Sequence, residues 1–162
     1  MEPLTVHTVL RAWETARDRH PLDRALVLYA LAAPDLPPDS LADQPLGRRN
    51  EALLRLHRAT YGNLLSAYLD CPRCQERLEF ELAASALLPD LDRDPEPLAV
   101  DGHHFRLPTS RDLAGIAGEA DVGTASQYLL RSCLGDPDGG AAGPALLERV
   151  ETAMEDADPL AD

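Results

Sequence analysis

Along the first 61 residues, apolar side chains recur at intervals of three and four, the period of helices packing on one face. Leu10, Trp13 and Ala16, with Arg17, keep that spacing until His20-Pro21. Pro21 suits the first turn of a second helix, where its missing amide hydrogen costs nothing. Leu22, Ala25, Leu26, Leu28, Tyr29 and Ala32 give this second helix a broad apolar face. Ala33-Pro34 stops it, and Pro37 and Pro38 make residues 35–39 a turn-rich connector. A third helix is expected over 47–61, with Leu53, Leu54, Leu56 and His57 as its buried stripe. Arg48, Arg49, Arg55 and Arg58 largely solvate the rest, and Gly62 is placed to cap the C-terminus.

The period then changes. Residues 64–69 read as a strand or a short helical turn. Leu78-Glu79-Phe80-Glu81-Leu82 alternates apolar and acidic residues, the signature of a half-exposed strand. A helical turn is expected over 83–88. Residues 90–97, rich in Pro and Asp, read as a linker. Residues 98–107 read as a hairpin around Asp101-Gly102, a strong two-residue turn signal. A helix is expected from about Arg111, with Thr109 or Ser110 as N-cap and Asp112 favouring its positive end. Further helices are expected over 124–134 and 144–156, separated by a flexible loop at 136–143. The predicted fold is mainly α with a small β portion. A helical segment over 1–89 ends in a zinc-ribbon-like β knuckle, and a short β-hairpin and acidic helices follow the linker over 98–162.

Composition narrows the function. Hydrophobic residues make up 44% of the 162, enough for a core, and aromatics only 4%, so that core is mostly Leu, Ala and Val. The formal charge is −13. It is concentrated in residues 90–162, where 16 acids face 5 arginines. Such a surface repels phosphate backbones, so no nucleic acid partner is expected. All 15 basic residues are Arg, which excludes Schiff-base and phosphate-loop lysine chemistry. No stretch approaches the ~20 apolar residues that span a bilayer. The start, Met1-Glu2-Pro3-Leu4, has no secretory pattern, so a cytoplasmic location is expected.

Candidate chemistry centres on Cys71-Pro72-Arg73-Cys74. Two cysteines at this spacing grip Zn²⁺ from a turn, but a closed structural site needs four ligands. The pair is therefore read as a zinc half-site, incomplete within this chain, with a redox dithiol and an unmetallated pair as alternatives. Dithiol chemistry needs the first thiol at a helix N-terminus, whereas a strand pattern follows here. Cys133, His103 or His104 could close the site. Cys133, however, lies among Leu129, Leu130 and Leu134, where a small core residue is the ordinary role. His103 and His104 are adjacent on a predicted strand and face opposite sides. A second copy of the chain, or a second pair in sequence or on a partner, are the other sources.

Elsewhere the signals are faint. No Gly-x-Ser-x-Gly elbow or phosphate-binding Gly loop occurs, and Asp136-Pro137-Asp138-Gly139 lacks the spacing and terminal Glu of a calcium loop. The cluster Arg48, Arg49, Arg55 and Arg58 reads as a solvated helix face or a dock for an acidic partner.

Three segments carry a more specific likeness: Leu56-His57-Arg58-Ala59-Thr60-Tyr61-Gly62, Cys71-Pro72-Arg73-Cys74-Gln75-Glu76-Arg77-Leu78-Glu79-Phe80, and Phe105-Arg106-Leu107-Pro108-Thr109-Ser110-Arg111-Asp112-Leu113. Together they resemble a small family encoded with phage-tail-like contractile injection systems, similar to baseplate proteins of T-even-type phages. The resemblance spans roughly residues 20–160. It implies a non-enzymatic structural or assembly component of a baseplate, with other baseplate or tail subunits as partners, self-association a further option, and incorporation into an assembled particle. The alternatives are a zinc-binding adaptor or assembly chaperone not retained in the particle, and a dithiol redox protein. The family pattern implies a second Cys-Pro-x-Cys module beyond a stretch like Ala157-Asp158-Pro159-Leu160-Ala161-Asp162, where this sequence stops, so a shortened version or a fragment is the expectation. It also implies Gly after the second cysteine, where this chain has Gln75.

Overall fold

The computed structural model describes residues 2–88, 98–135 and 142–161. The linker expected at 90–97 and most of the loop expected at 136–143 lie outside the described residues. The helices are α1 (Val6–Ala16), α2 (Pro21–Ala32), α3 (Leu46–Tyr61), α4 (Ala84–Leu87), α5 (Ser110–Ile116), α6 (Val122–Cys133) and α7 (Pro144–Ala157), with a 3₁₀ turn at Pro38–Asp43. Strand β1 (Leu64–Asp70) pairs antiparallel with β2 (Arg77–Ala83), and β3 (Ala99–Val100) with β4 (His103–His104). The described residues are thus mainly helical with two small two-stranded sheets, as the period of the apolar positions predicts. No described helix is long and apolar enough to cross a membrane.

Local chemistry sets the boundaries. Thr5 caps α1 by accepting the Thr8 amide, and His20 caps α2 through its ring nitrogen. Gly62, at φ +97°, ends α3 in a conformation that other residues rarely adopt. The α5 start is a capping box, in which Thr109 accepts the Asp112 amide and Asp112 accepts the Thr109 amide. Helix α6 begins at Val122, two residues earlier than the apolar spacing indicates, because the Asp121 carboxylate accepts the Thr124 amide at 2.8 Å.

Two apolar clusters form the interior. Tyr29, Ala32, Leu41 and Leu56 join α2, the 3₁₀ turn and α3. Phe105, Leu130, Cys133, Leu147, Val150 and Met154 join the chain after β4 with α6 and α7. A polar seam ties the N-terminal elements to the C-terminal ones. The Leu46 amide donates to the Pro108 carbonyl at 3.0 Å, and the Asn50 amide group donates to the Leu160 carbonyl at 2.6 Å. Arg111 pairs with Asp43 at 2.6 Å. Arg49, expected on the solvated face of α3, is instead buried in this seam, where it donates to Ser110 Oγ at 2.8 Å. The α3 pattern misplaces it because three of its neighbours on the same helix are arginines; only a distant hydroxyl distinguishes it.

Candidate functional site

The β1–β2 hairpin carries the cysteine pair at its tip. Its register sets Leu65 against Leu82, Ala67 against Phe80 and Leu69 against Leu78. Side chains alternate along a strand, so these six residues share one face. Cys71 continues the same alternation, one step beyond Leu69. The opposite face pairs Ser66 with Glu81, Tyr68 with Glu79 and Asp70 with Arg77. There the Arg77 guanidinium lies 4.1 Å from the Tyr68 ring centroid and 3.3 Å from Asp70, a solvated polar arrangement.

Leu65 and Ala67 are half-buried, but the rest of the apolar face has little cover. Leu69 is 46% exposed, Leu78 50%, Phe80 38% and Leu82 38%. The strand expected to be half-exposed is therefore open on both faces, with only Ala83 at its base half-buried. An isolated two-stranded hairpin is marginal in water, and this one is held mainly at its base. There Ala84 is fully buried, its amide donates to the Asn63 carbonyl at 2.7 Å, and the Asn63 side chain brackets Ser85.

At the tip the backbone closes tightly. The Gln75 amide donates to the Cys71 carbonyl at 2.8 Å, and the Cys71 amide to the Glu76 carbonyl at 2.9 Å. Gln75 takes φ +63°, the left-handed conformation that glycine adopts without strain. The turn thus keeps the geometry for which glycine is usual while using glutamine. The Cys71 thiol is held below its ordinary pKa by the backbone amide of Cys74 first, then by that of Arg73 and the Cys74 side chain. A thiol held below its ordinary pKa favours the thiolate, the form that binds metal. Cys71 ends a strand rather than starting a helix, so the helix-dipole activation of dithiol oxidoreductases is not available to it.

The other sequence candidates lie apart. Cys133 is buried in the α6–α7 cluster, and burial pushes its thiol up to about 11. His103 and His104 are both exposed on β4. Among the described residues no three of His, Cys, Asp or Glu gather where one ion could be held, so the expected zinc-ribbon knuckle reduces to its hairpin and its two cysteines. The arginine cluster on α3 loses Arg49 to the buried seam, and Arg55 is paired with Glu51 at 2.7 Å.

A second apolar surface escaped the sequence reading. A groove of about 710 Å³ runs between α1 and α3, lined by Trp13, Leu28, Leu53, Leu54, His57 and Tyr61 among others. It exists because α1 buries the small residues Ala12 and Ala16 while Leu10 and Trp13 stay exposed, at 55% and 57%. The helical spacing of Leu10 and Trp13 marks a face without marking which face meets the core. The hairpin's apolar ladder was more legible: once the turn is placed, the odd positions 65, 67 and 69 fall opposite the even positions 82, 80 and 78. Compared with protein-family models, curated proteins and solved structures, the chain matches none.

Proposed function

We propose that this chain is a non-enzymatic structural or assembly component of the baseplate of a contractile, phage-tail-like particle, docking on neighbouring subunits through the Cys71–Cys74 hairpin. The observation that carries the docking role is the hairpin's apolar face, exposed along Leu69, Leu78, Phe80 and Leu82. An exposed apolar ladder at the end of a two-stranded arm is costly in water and gains by being covered. The particle assignment rests on the three-segment resemblance.

The donor set at the tip fits Zn²⁺ as far as it goes, with two thiols at the right spacing on a turn closed by backbone hydrogen bonds. Bound there, the ion would fix the tip and hold the apolar face in one conformation for a partner. Cys71 and Cys74 are the residues that would hold it.

Sedimentation of assembled particles carrying a tagged chain tests this function. The chain is expected in the particle fraction in fixed ratio to the other baseplate subunits. Recovery only with unassembled subunits would make it an adaptor or assembly chaperone instead, and recovery with neither would end the baseplate reading.

A further inference from the structure

Zinc in a structural site takes four ligands in a tetrahedron, and the hairpin offers two. Neither Cys133, locked in the core, nor any other His, Cys, Asp or Glu of the described residues joins them. We infer that a second copy of this chain supplies the missing pair: Cys71 and Cys74 of two copies close one tetrathiolate Zn²⁺ site, and the two apolar hairpin faces pack against each other across a twofold axis. This rests on the zinc half-site of the preceding reading and adds its occupant.

Three features of one hairpin converge on that occupant. The first is arithmetic, since two identical halves make four thiolates with no further residue. The second is placement. Strand β1 ends at Asp70, but the Cys71 amide still bonds the Glu76 carbonyl across the hairpin, and the alternation carried one residue further puts Cys71 on the side of Leu65, Ala67 and Leu69, so an ion that joins two tips brings two apolar faces together. A twofold contact is self-complementary by construction, and an apolar ladder is a surface that can meet its own copy. The third is charge. Four thiols lose four protons on binding, and four thiolates with one Zn²⁺ carry a formal −2. Each knuckle brings Arg73 between its cysteines, so two copies bring two guanidiniums to offset it. No electron moves, and the only products are the complex and the released protons.

Because ion and partner are bound together, zinc affinity should rise with chain concentration. The test is native mass spectrometry of the reduced, purified chain titrated with ZnCl₂, followed by Co²⁺ in place of zinc. The expected result is a zinc-free monomer converting to a dimer with one ion per two chains, and a cobalt spectrum with thiolate charge transfer and tetrahedral d–d bands. C71S/C74S should stay monomeric and zinc-free, and should form no zinc-bridged dimer with the wild-type chain. Phe80→Glu, at an exposed position that leaves the thiols intact, should raise the chain concentration needed for the dimer by at least about tenfold. One zinc on a monomer, no bound zinc, or a dimer that survives both chelation and C71S/C74S would each overturn the inference. A zinc-bridged dimer missing from particles would sink the baseplate reading alone, whereas a zinc-free monomer found within them would sink this inference alone.

Discussion

The carboxylate of Asp158 accepts the amide hydrogen of Gly47 at 2.9 Å, so a residue just past α7 closes the first turn of α3 from 111 positions away. The amide is one of the donors that a helix start leaves unpaired. A Cβ on Gly47 would overlap the Asp158 carboxylate, so an alanine there makes that side chain swing away and give up the cap. Gly47→Ala should therefore cost no more than the lost cap, about 1 kcal/mol, less what alanine's better helix propensity returns. Asp158→Ala should cost about 1 kcal/mol by removing the cap. Asp158→Asn should cost less than Asp158→Ala, since its carbonyl still accepts and burial already pushes the carboxyl's pKa up, opposed only in part by the amides of Gly47 and Leu160. Urea melts of the three variants at pH 7 check the order.

Arg49 and Arg48 are neighbours with different fates. Arg49 is buried against Ser110, while Arg48 is exposed. Arg49→Ala should cost about 2–3 kcal/mol through a lost charged hydrogen bond and lost packing. Arg48→Ala should stay within about 0.5 kcal/mol of wild type. Equal effects in thermal melts would contradict the buried seam.

Acid should act on the capping box of α5. Burial alone would raise the Asp112 pKa, but hydrogen bonds from Arg106 and from the Thr109 hydroxyl and amide outweigh it and hold the carboxyl at about 2. A carboxyl whose folded pKa is depressed binds its proton more tightly when unfolded. Its contribution is complete above the unfolded value of 3.8 and is lost as pH falls toward 2. On the order of 1–2 kcal/mol should disappear over that window, the half-exposed Arg106 weakening the pair. In Asp112→Asn this component should be absent, so its stability should fall less steeply than wild type between pH 4 and pH 2, as urea midpoints across the range would report.

The cysteine pair should matter locally. The hairpin meets the helices at its base, through Asn63, Ala84 and Ser85, and both apolar clusters lie elsewhere. C71S/C74S should abolish zinc binding and speed amide exchange in β1 and β2. The urea midpoint of the helical core, measured on the monomer, should stay within about 0.5 kcal/mol of wild type. Global unfolding of the variant would show that the hairpin is integral to the core.

Much of this architecture was legible in the chain because its signals are local. The apolar periods place α2 and α3, Gly62 marks the α3 end, Asp101-Gly102 marks the β3–β4 turn, and Thr109 with Asp112 marks the α5 start. Asp101 and Gly102 both take positive φ, as that turn requires. What stayed hidden depends on partners distant in sequence. Arg49 reads like its three neighbouring arginines until Ser110 is brought to it, and Gly47 reads as a poor helix residue until Asp158 arrives. The cysteine pair was legible as a chelating spacing. That its turn would hold Gln75 in a glycine conformation was implied only by the family resemblance, and that its strand would lie open on both faces was not visible in an alternating pattern, which normally marks one buried side.

The proposed docking role of the hairpin is tested most directly by hydrogen exchange of the zinc-free, monomeric chain and of the chain within assembled particles, compared peptide by peptide. Amides of β1 and β2, from Leu64 to Ala83, should exchange markedly more slowly in the particle, with the largest change around Leu69, Cys71, Leu78 and Phe80. Protection confined to the groove between α1 and α3, with the hairpin exchanging as freely as in the isolated chain, would contradict the account.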